Sequence, residues 1–232
     1  MFRRLYRWLA SLLYAIDLEI MAQVIDSSSP ARSCQNEASF GEPPPLNRGD
    51  QNLNPRDIGF LALLREDLHT FEGNPFEPGF WAIALHRYGN WRMAIRPRLL
   101  RFPFSLTYQI LSWLVEVVGG IHLPYTVRLG RRVRIWHHGG IVLHAQAIGD
   151  DVHIRHNTTF GIASRERLRA IPTIESRVDI GCGACVLGHV TVGHDSQIGA
   201  NAVVVTDIPP YSTAVGIPAR VIKRSLPESN QP

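Results

Sequence analysis

Cysteine is scarce in this sequence, and so is any large surplus of charge. The three cysteines, Cys34, Cys182 and Cys185, cannot build a disulfide framework, which favours a reducing compartment and a cytoplasmic location. The 24 Lys and Arg residues only slightly outnumber the 20 Asp and Glu residues. No basic stripe interleaved with stacking aromatic residues accompanies this small excess, and nucleic acid is therefore excluded as a partner.

A membrane-spanning run is also missing from the N-terminus. The first twenty residues, MFRRLYRWLASLLYAIDLEI, are basic and apolar, but Asp17 and Glu19 interrupt the apolar run too early for a spanning helix. One interpretation is an amphipathic helix over residues 1–26 that contacts a membrane surface or a partner chain; the other is a locally packed or disordered segment. Residues 27–54, with SSSP and EPPPLNRGD, predict a disordered linker.

Apolar residues at helical spacing predict a small α-helical domain over residues 55–120. Three segments carry the pattern: IGFLALLREDL (58–68), FWAIALHRYGNWRMAI (80–95) and FSLTYQILSWLVEVVGG (104–120). The last segment ends on Gly119 and Gly120, as helices often do.

From residue 121 onward, aliphatic residues recur every six positions. The series is Leu129, Ile135, Ile141, then after a slip of one residue Ile148, Ile154, Phe160, and after a loop Ile174, Ile180, Val186, Val192, Ile198, Val204. Neither a helix nor an alternating strand has this period, whereas a hexapeptide β-helix does. In that fold each unit supplies one short strand, and the repeated aliphatic residue points into a triangular prism.

Helices followed by these hexads and by IGANAVVVTDIPPYSTAVGIPARVIKR resemble the serine acetyltransferase family of hexapeptide acyltransferases. LREDL and PGFWAIALHRYGNW resemble the helical domain of that family, and the resemblance covers residues 59–223. It implies a mainly β fold, with a left-handed parallel β-helix over 121–223 and a flexible tail over 224–232. It also implies a homotrimer or a dimer of trimers, with acetyl-CoA bound between neighbouring prisms.

The resemblance places the family's catalytic histidine at His137, within WHHGGIV. An alcohol attacks a thioester only if its proton is removed as the new bond forms, and histidine, with an ordinary pKa of about 6.5, is suited to this at neutral pH. The resemblance also places the residue that orients this histidine at His122, where the family has a carboxylate. His138 is expected in a supporting position beside the substrate, and His156 is expected to line the acyl site.

Several acceptor-binding positions depart from the family pattern. Trp136 replaces an acidic residue, Ile171 replaces a histidine in the protruding loop, and Asn74 stands at a third acidic position. In the family these groups hold the ammonium and carboxylate of serine, so their replacement favours a sugar acceptor, on which Trp136 could stack. At these positions the chain is most similar to the branch that acetylates polysaccharides or their precursors.

The positions that contact acetyl-CoA are better preserved. Small residues that let backbone amides approach the pantetheine arm stand at Gly161, Gly181, Cys182, Gly199 and Ala200. Pro218 and Arg220 belong to the C-terminal segment that closes over the nucleotide. The loop arginines Arg165, Arg167 and Arg169 are candidates for the CoA phosphates, with a solvated loop as the alternative.

A zinc enzyme is the alternative function. His189 and His194, five residues apart, resemble the ligands of γ-class carbonic anhydrases, which share the prism fold and hold zinc between subunits. The acyltransferase C-terminal motif and the helical domain favour the transferase, for which we expect no metal. The CxxC of Cys182 and Cys185 has no βαβ context that would support redox chemistry.

Overall fold

The computed structural model describes residues 43–224. Helix α1 spans Phe60–Thr70 and α2 spans Pro78–Trp91, followed by a 3-10 turn at Arg92–Ala94. Helix α3 spans Arg98–Gly119 and ends on Gly120, which has a left-handed φ of 61°. The three predicted helices are present, and α3 begins six residues earlier than the sequence pattern indicates. Within residues 43–224, no helix combines the length and apolar character needed to cross a membrane.

Short strands fill the rest of the described chain. In chain order they are β1 Ile121–His122, β2 Arg128–Leu129, β3 Arg134–Trp136, β4 Ile141–Leu143, β5 Ala147–Ile148, β6 His153–Arg155, β7 Thr159–Gly161, β8 Thr173–Ile174, β9 Asp179–Ile180, β10 Cys185–Leu187, β11 Thr191–Val192, β12 Gln197–Ile198, β13 Val203–Val204, β14 Ser212–Val215 and β15 Arg220–Arg224. They form three parallel sheets with the orders β1-β4-β7-β10-β13, β2-β5-β8-β11 and β3-β6-β9-β12-β14-β15, in which only β15 runs antiparallel.

These three sheets are the faces of a left-handed parallel β-helix, so the predicted fold class is confirmed. Every third strand returns to the same face, and the aliphatic residues stack in register, as Leu129, Ile148, Ile174 and Val192 do on one face. These side chains are almost fully buried. Each buried aliphatic side chain contributes about 1.5–3 kcal/mol to folding.

The register departs from the sequence prediction at one corner. Leu143, not Ile141, pairs with Phe160 of β7. Ile141 pairs with Ile121 of β1, the neighbouring strand on the other side of the same sheet. Eight residues therefore separate the inward positions Ile135 and Leu143, where six separate Ile154 from Phe160. The predicted slip of one residue is thus a corner lengthened by two residues, followed by a corner shortened by one.

The helices cap the first coil of the prism. Buried side chains of α2 donate to carbonyl groups that have no preceding strand to pair with: His86 to Val127 O (2.9 Å), Arg87 to Leu129 O (2.9 Å) and Asn90 to Tyr125 O (2.8 Å). Capping a strand edge in this way satisfies its backbone and blocks further pairing.

The segment before α1 is irregular but fixed by hydrogen bonds. Residues 43–54, the described part of the predicted linker, form no helix or strand. Leu53 N donates to Asn90 Oδ1, Asn54 Nδ2 to Arg87 O and Asn47 Nδ2 to Thr126 O, each at 2.9 Å. The predicted helix over 1–26 and, apart from Arg224, the predicted tail lie outside the described residues.

Candidate active site

His137 lies in the lengthened corner between β3 and β4. Its backbone is left-handed, with φ 64°, and its side chain is exposed. Two backbone hydrogen bonds hold the corner, from Gly139 N to Gly119 O (3.0 Å) and from Asn157 N to Gly139 O (3.1 Å). The corner is therefore tied to the end of α3 on one side and to the next coil on the other.

His156 stands against His137. The two imidazole rings meet edge to face, with centroids 5.7 Å apart and planes at 75°. The structure thus brings together two of the histidines that the sequence predicts for the site, His137 and His156. The Nδ1 atom of His156 is buried and makes no hydrogen bond to the described residues.

His122 has a carboxylate partner of its own. Its Nδ1 lies 3.2 Å from Glu116 Oε2, and the two side chains are 46% and 53% exposed. Among residues 43–224, no hydrogen bond or ring contact joins His122 to His137. Sequence reasoning missed Glu116 because the pairing depends on where α3 ends relative to β1, which no local pattern specifies.

The side chain of Trp136 is already engaged on the outer face of β3. Its Nε1–H donates to His153 Nδ1 (3.1 Å), and the Arg134 guanidinium lies 3.8 Å from the ring centroid, a cation–π contact. One indole face and the N–H are therefore occupied, which leaves less of Trp136 for a sugar than the sequence suggested.

The remaining acceptor candidates are more scattered. His138 is exposed in the same corner as His137. Asn74 is exposed in the turn between α1 and α2, where its Oδ1 accepts from Phe76 N (3.0 Å). Ile171 is only 3% exposed. Among the described residues, no hydrogen bond links Asn74 to the His137 corner.

The small residues predicted for CoA binding stack on neighbouring coils. A Cβ atom added to Gly181 would lie 2.5 Å from Ala200 N, and one added to Gly199 would lie 2.7 Å from Val215 Cγ1. Cys182 O accepts a hydrogen bond from Asn201 N (2.8 Å). The coils can pack this closely only because their corners lack bulky side chains.

The other predicted CoA residues lie at loop and strand ends. Gly161 ends β7, immediately before the protruding loop over 162–172, and a Cβ added there would meet no atom within 4 Å. Pro218 precedes β15, and Arg220 is the first residue of that strand. The side chains of Arg165, Arg167 and Arg169 are exposed on the loop.

His189 and His194, the two histidines of the zinc alternative, share no hydrogen-bond or ring-contact partner among the described residues. His194 Nδ1 lies 2.7 Å from Asp195 Oδ2, and its ring packs edge to face on Tyr211. His189 has a buried Nδ1 atom with no partner among the described residues. No group of three or more His, Cys, Asp or Glu residues suited to a metal ion occurs within residues 43–224.

Comparison with known proteins identifies the family. No protein-family model matches the chain. The chain is 34% identical over 168 residues to the serine acetyltransferase of Bacillus subtilis, a match that covers 70% of this chain and 77% of that enzyme. The chain belongs to the serine acetyltransferase family. The family expected from the sequence motifs is therefore confirmed.

Two further members of the serine acetyltransferase family support this assignment. The enzyme of Mycobacterium tuberculosis is 38% identical over 156 residues, and the match spans 67% of this chain but only 65% of that enzyme. A solved serine acetyltransferase in complex with CoA superposes with a TM-score of 0.56 at 26% identity, covering 70% of this chain and 69% of the other. The agreement with these relatives extends to the fold.

Proposed function

We propose that this chain transfers an acetyl group from acetyl-CoA to a hydroxyl group, with His137 as the general base. Membership of the serine acetyltransferase family supports the reaction class. The observation that carries the residue assignment is the lengthened corner, which presents an exposed imidazole where the resemblance expects the base.

The reaction follows from the chemistry of the imidazole. The neutral ring takes the hydroxyl proton as the alcohol oxygen attacks the thioester carbonyl carbon. The resulting oxyanion is stabilised by hydrogen-bond donors such as backbone amides. When the carbon–sulfur bond breaks, the imidazolium returns its proton to the CoA thiolate, so no covalent enzyme intermediate is needed.

L-serine is the acceptor that family membership favours. A sugar or polysaccharide precursor is the second candidate, favoured by one observation. The resemblance expects a histidine at residue 171 to bind the amino acid, whereas this chain has an isoleucine that is 3% exposed. Thiol release measured with serine and with nucleotide-linked or lipid-linked sugars separates the two: release with serine alone rejects the sugar, and release with a sugar alone rejects serine.

The His137→Asn variant tests the base. Asparagine tolerates the left-handed backbone better than most residues, so the corner is retained while the base is lost. We expect kcat to fall at least about 100-fold, whereas CoA binding measured by calorimetry is unchanged.

His69→Asn, an exposed histidine of α1, is the matched control and is expected to retain wild-type turnover. Wild-type turnover in His137→Asn would refute the assignment of the base.

A further inference from the structure

The outward side of α3 is apolar along its whole length. Leu99 is 77% exposed, Val118 70% and Trp113 65%. Eight further large apolar side chains of this helix are also exposed: Leu100, Phe102, Phe104, Leu106, Ile110, Leu111, Leu114 and Val117. Contiguous apolar surface of this extent marks a site of interaction with a protein or a membrane.

This apolar surface is wider than one partner helix covers. At 100° per residue, the exposed apolar residues span an arc of about 200° around the helix. Within that arc the chain places only one polar side chain, Thr107, and no charge. The opposite side of the helix, with Tyr108 and Val115, packs on the protein. A helix pair buries a much narrower seam, so a broad apolar medium fits this surface better.

The charged residues at the end of this apolar surface distinguish a lipid surface from a second copy of the chain. Arg96 and Arg98 are exposed at the N-terminal end of α3. Within residues 43–224, neither of them forms a salt bridge. The only acidic residue of the helix is Glu116, near its other end. On α3, a second copy would offer one carboxylate to two arginines, whereas an anionic lipid surface offers a phosphate to each.

We propose that α3 lies flat on an anionic membrane surface. Its apolar arc enters the boundary between headgroups and acyl chains, and Arg96 and Arg98 bind lipid phosphates. Because Gly119 at the end of α3 accepts a hydrogen bond from Gly139, the His137 corner is anchored to the surface-bound helix. The proposal does not depend on the reaction, since binding is measured without substrate.

Co-sedimentation of the full chain with lipid vesicles tests the proposal. We expect the protein to sediment with vesicles that contain phosphatidylglycerol, several-fold more than with pure phosphatidylcholine, and to be released by high salt. Two double variants should each lower the partition coefficient about tenfold: Ile110→Asn with Val117→Asn, which interrupts the arc, and Arg96→Gln with Arg98→Gln, which removes the charge. Circular dichroism verifies that both are folded.

Leu61→Asn, which changes a 77% exposed leucine of α1, is the matched control and should bind as the wild type does. Three outcomes overturn the proposal. One is no sedimentation with either vesicle, and another is sedimentation that the α3 variants leave unchanged. The third is an arc variant that splits a larger oligomer, seen by light scattering, without an effect on vesicle binding, which would assign the arc to contacts between copies.

Discussion

At the residue scale, His137 stands outside the regular stack of corner residues. The stacked positions below it are Asn157, Gly183 and Asn201, with φ between 55° and 71°, and Gly140 begins the stack. Asparagine and glycine suit this left-handed geometry. His137 belongs instead to the two-residue extension, which the coil does not need in order to turn. A chemical role, rather than a structural one, is the better explanation for an imidazole there.

Glu116 is a carboxylate in contact with His122, the position that the family resemblance assigns to an orienting acid. It holds His122 Nδ1 at 3.2 Å, and β1, which carries His122, pairs with the strand that follows the His137 corner. If Glu116 and His122 position the base through the pairing of β1 with β4, the Glu116→Gln and His122→Ala variants should each lower kcat about tenfold. This is less than the roughly 10²–10⁴-fold that a general base itself contributes. KM for acetyl-CoA should not change, because neither residue is among those assigned to CoA.

The melting temperature separates positioning from a structural role in this prediction. Both side chains are about half exposed, so the pair contributes little stability and neither variant should shift the melting temperature. Turnover that is restored in Glu116→Asp but not in Glu116→Gln would indicate that the charge matters. Wild-type kcat in all three variants would contradict the positioning role.

At the element scale, the junction of α3 with the first coil controls the His137 corner. Gly120 has φ 61°, and a Cβ atom added to it would lie 2.9 Å from the Cα of Gly139. Gly120→Ala therefore combines backbone strain, about 1–2 kcal/mol, with a clash against backbone that must move the corner. We expect the free energy of unfolding in urea to fall. We also expect the activation free energy obtained from kcat to rise by at least the same amount.

Gly73→Ala is the matched control for the junction. Gly73 has a similar φ of 75°, but a Cβ added there meets no atom within 4 Å. That variant should lose stability through strain alone and keep its turnover. Equal turnover in the two variants would show that the junction does not control the corner.

The sequence predicted the elements better than their register. The period of six identified the inward residues because burial in the prism demands an aliphatic side chain at each of those positions. It could not decide between Ile141 and Leu143, since both are aliphatic and both are buried. The Glu116–His122 contact and the engagement of Trp136 by His153 depend on how neighbouring coils align. The period says nothing about which outward side chains meet.

At the scale of the whole molecule, the helical cap and the β-helix are joined through buried polar groups. Arg87 of α2 donates to Leu129 O of the first coil (2.9 Å) and forms an ion pair with Asp67 of α1, with Nε to Oδ2 at 3.0 Å; both side chains are 0% exposed. Burial raises the pKa of the Asp67 carboxyl, and Arg87 opposes that rise. A pair of this kind is costly to break, because either partner alone would be a buried, unpaired charge. The cap and the first coil are therefore expected to unfold together.

His86, in the same layer, makes this junction sensitive to acid. Its Nε2–H donates to Val127 O, and its Nδ1 is buried without a partner in the described chain. Burial, helped by the charge of Arg87, lowers the pKa of His86 to about 3. An unfolded histidine has a pKa of about 6.5, so the unfolded chain takes up a proton that the folded chain refuses. The contribution of neutral His86 to stability is fully present above pH 6.5. It is lost as the pH falls from 6.5 towards 3, by about 1.4 kcal/mol per pH unit.

The His86→Gln variant tests this linkage. Glutamine keeps an N–H donor for Val127 O but does not titrate. Between pH 7.5 and pH 5.5, the wild type should lose about 1.4 kcal/mol more free energy of unfolding than the variant does, measured by urea denaturation. The His69→Gln control changes an exposed histidine and should follow the wild type. Other groups, including Asp67, titrate in both proteins, so their effect cancels when the two are compared. If the free energy of unfolding of the wild type and of His86→Gln changed in parallel with pH, His86 would have to become protonated inside the folded protein, and the linkage would be wrong.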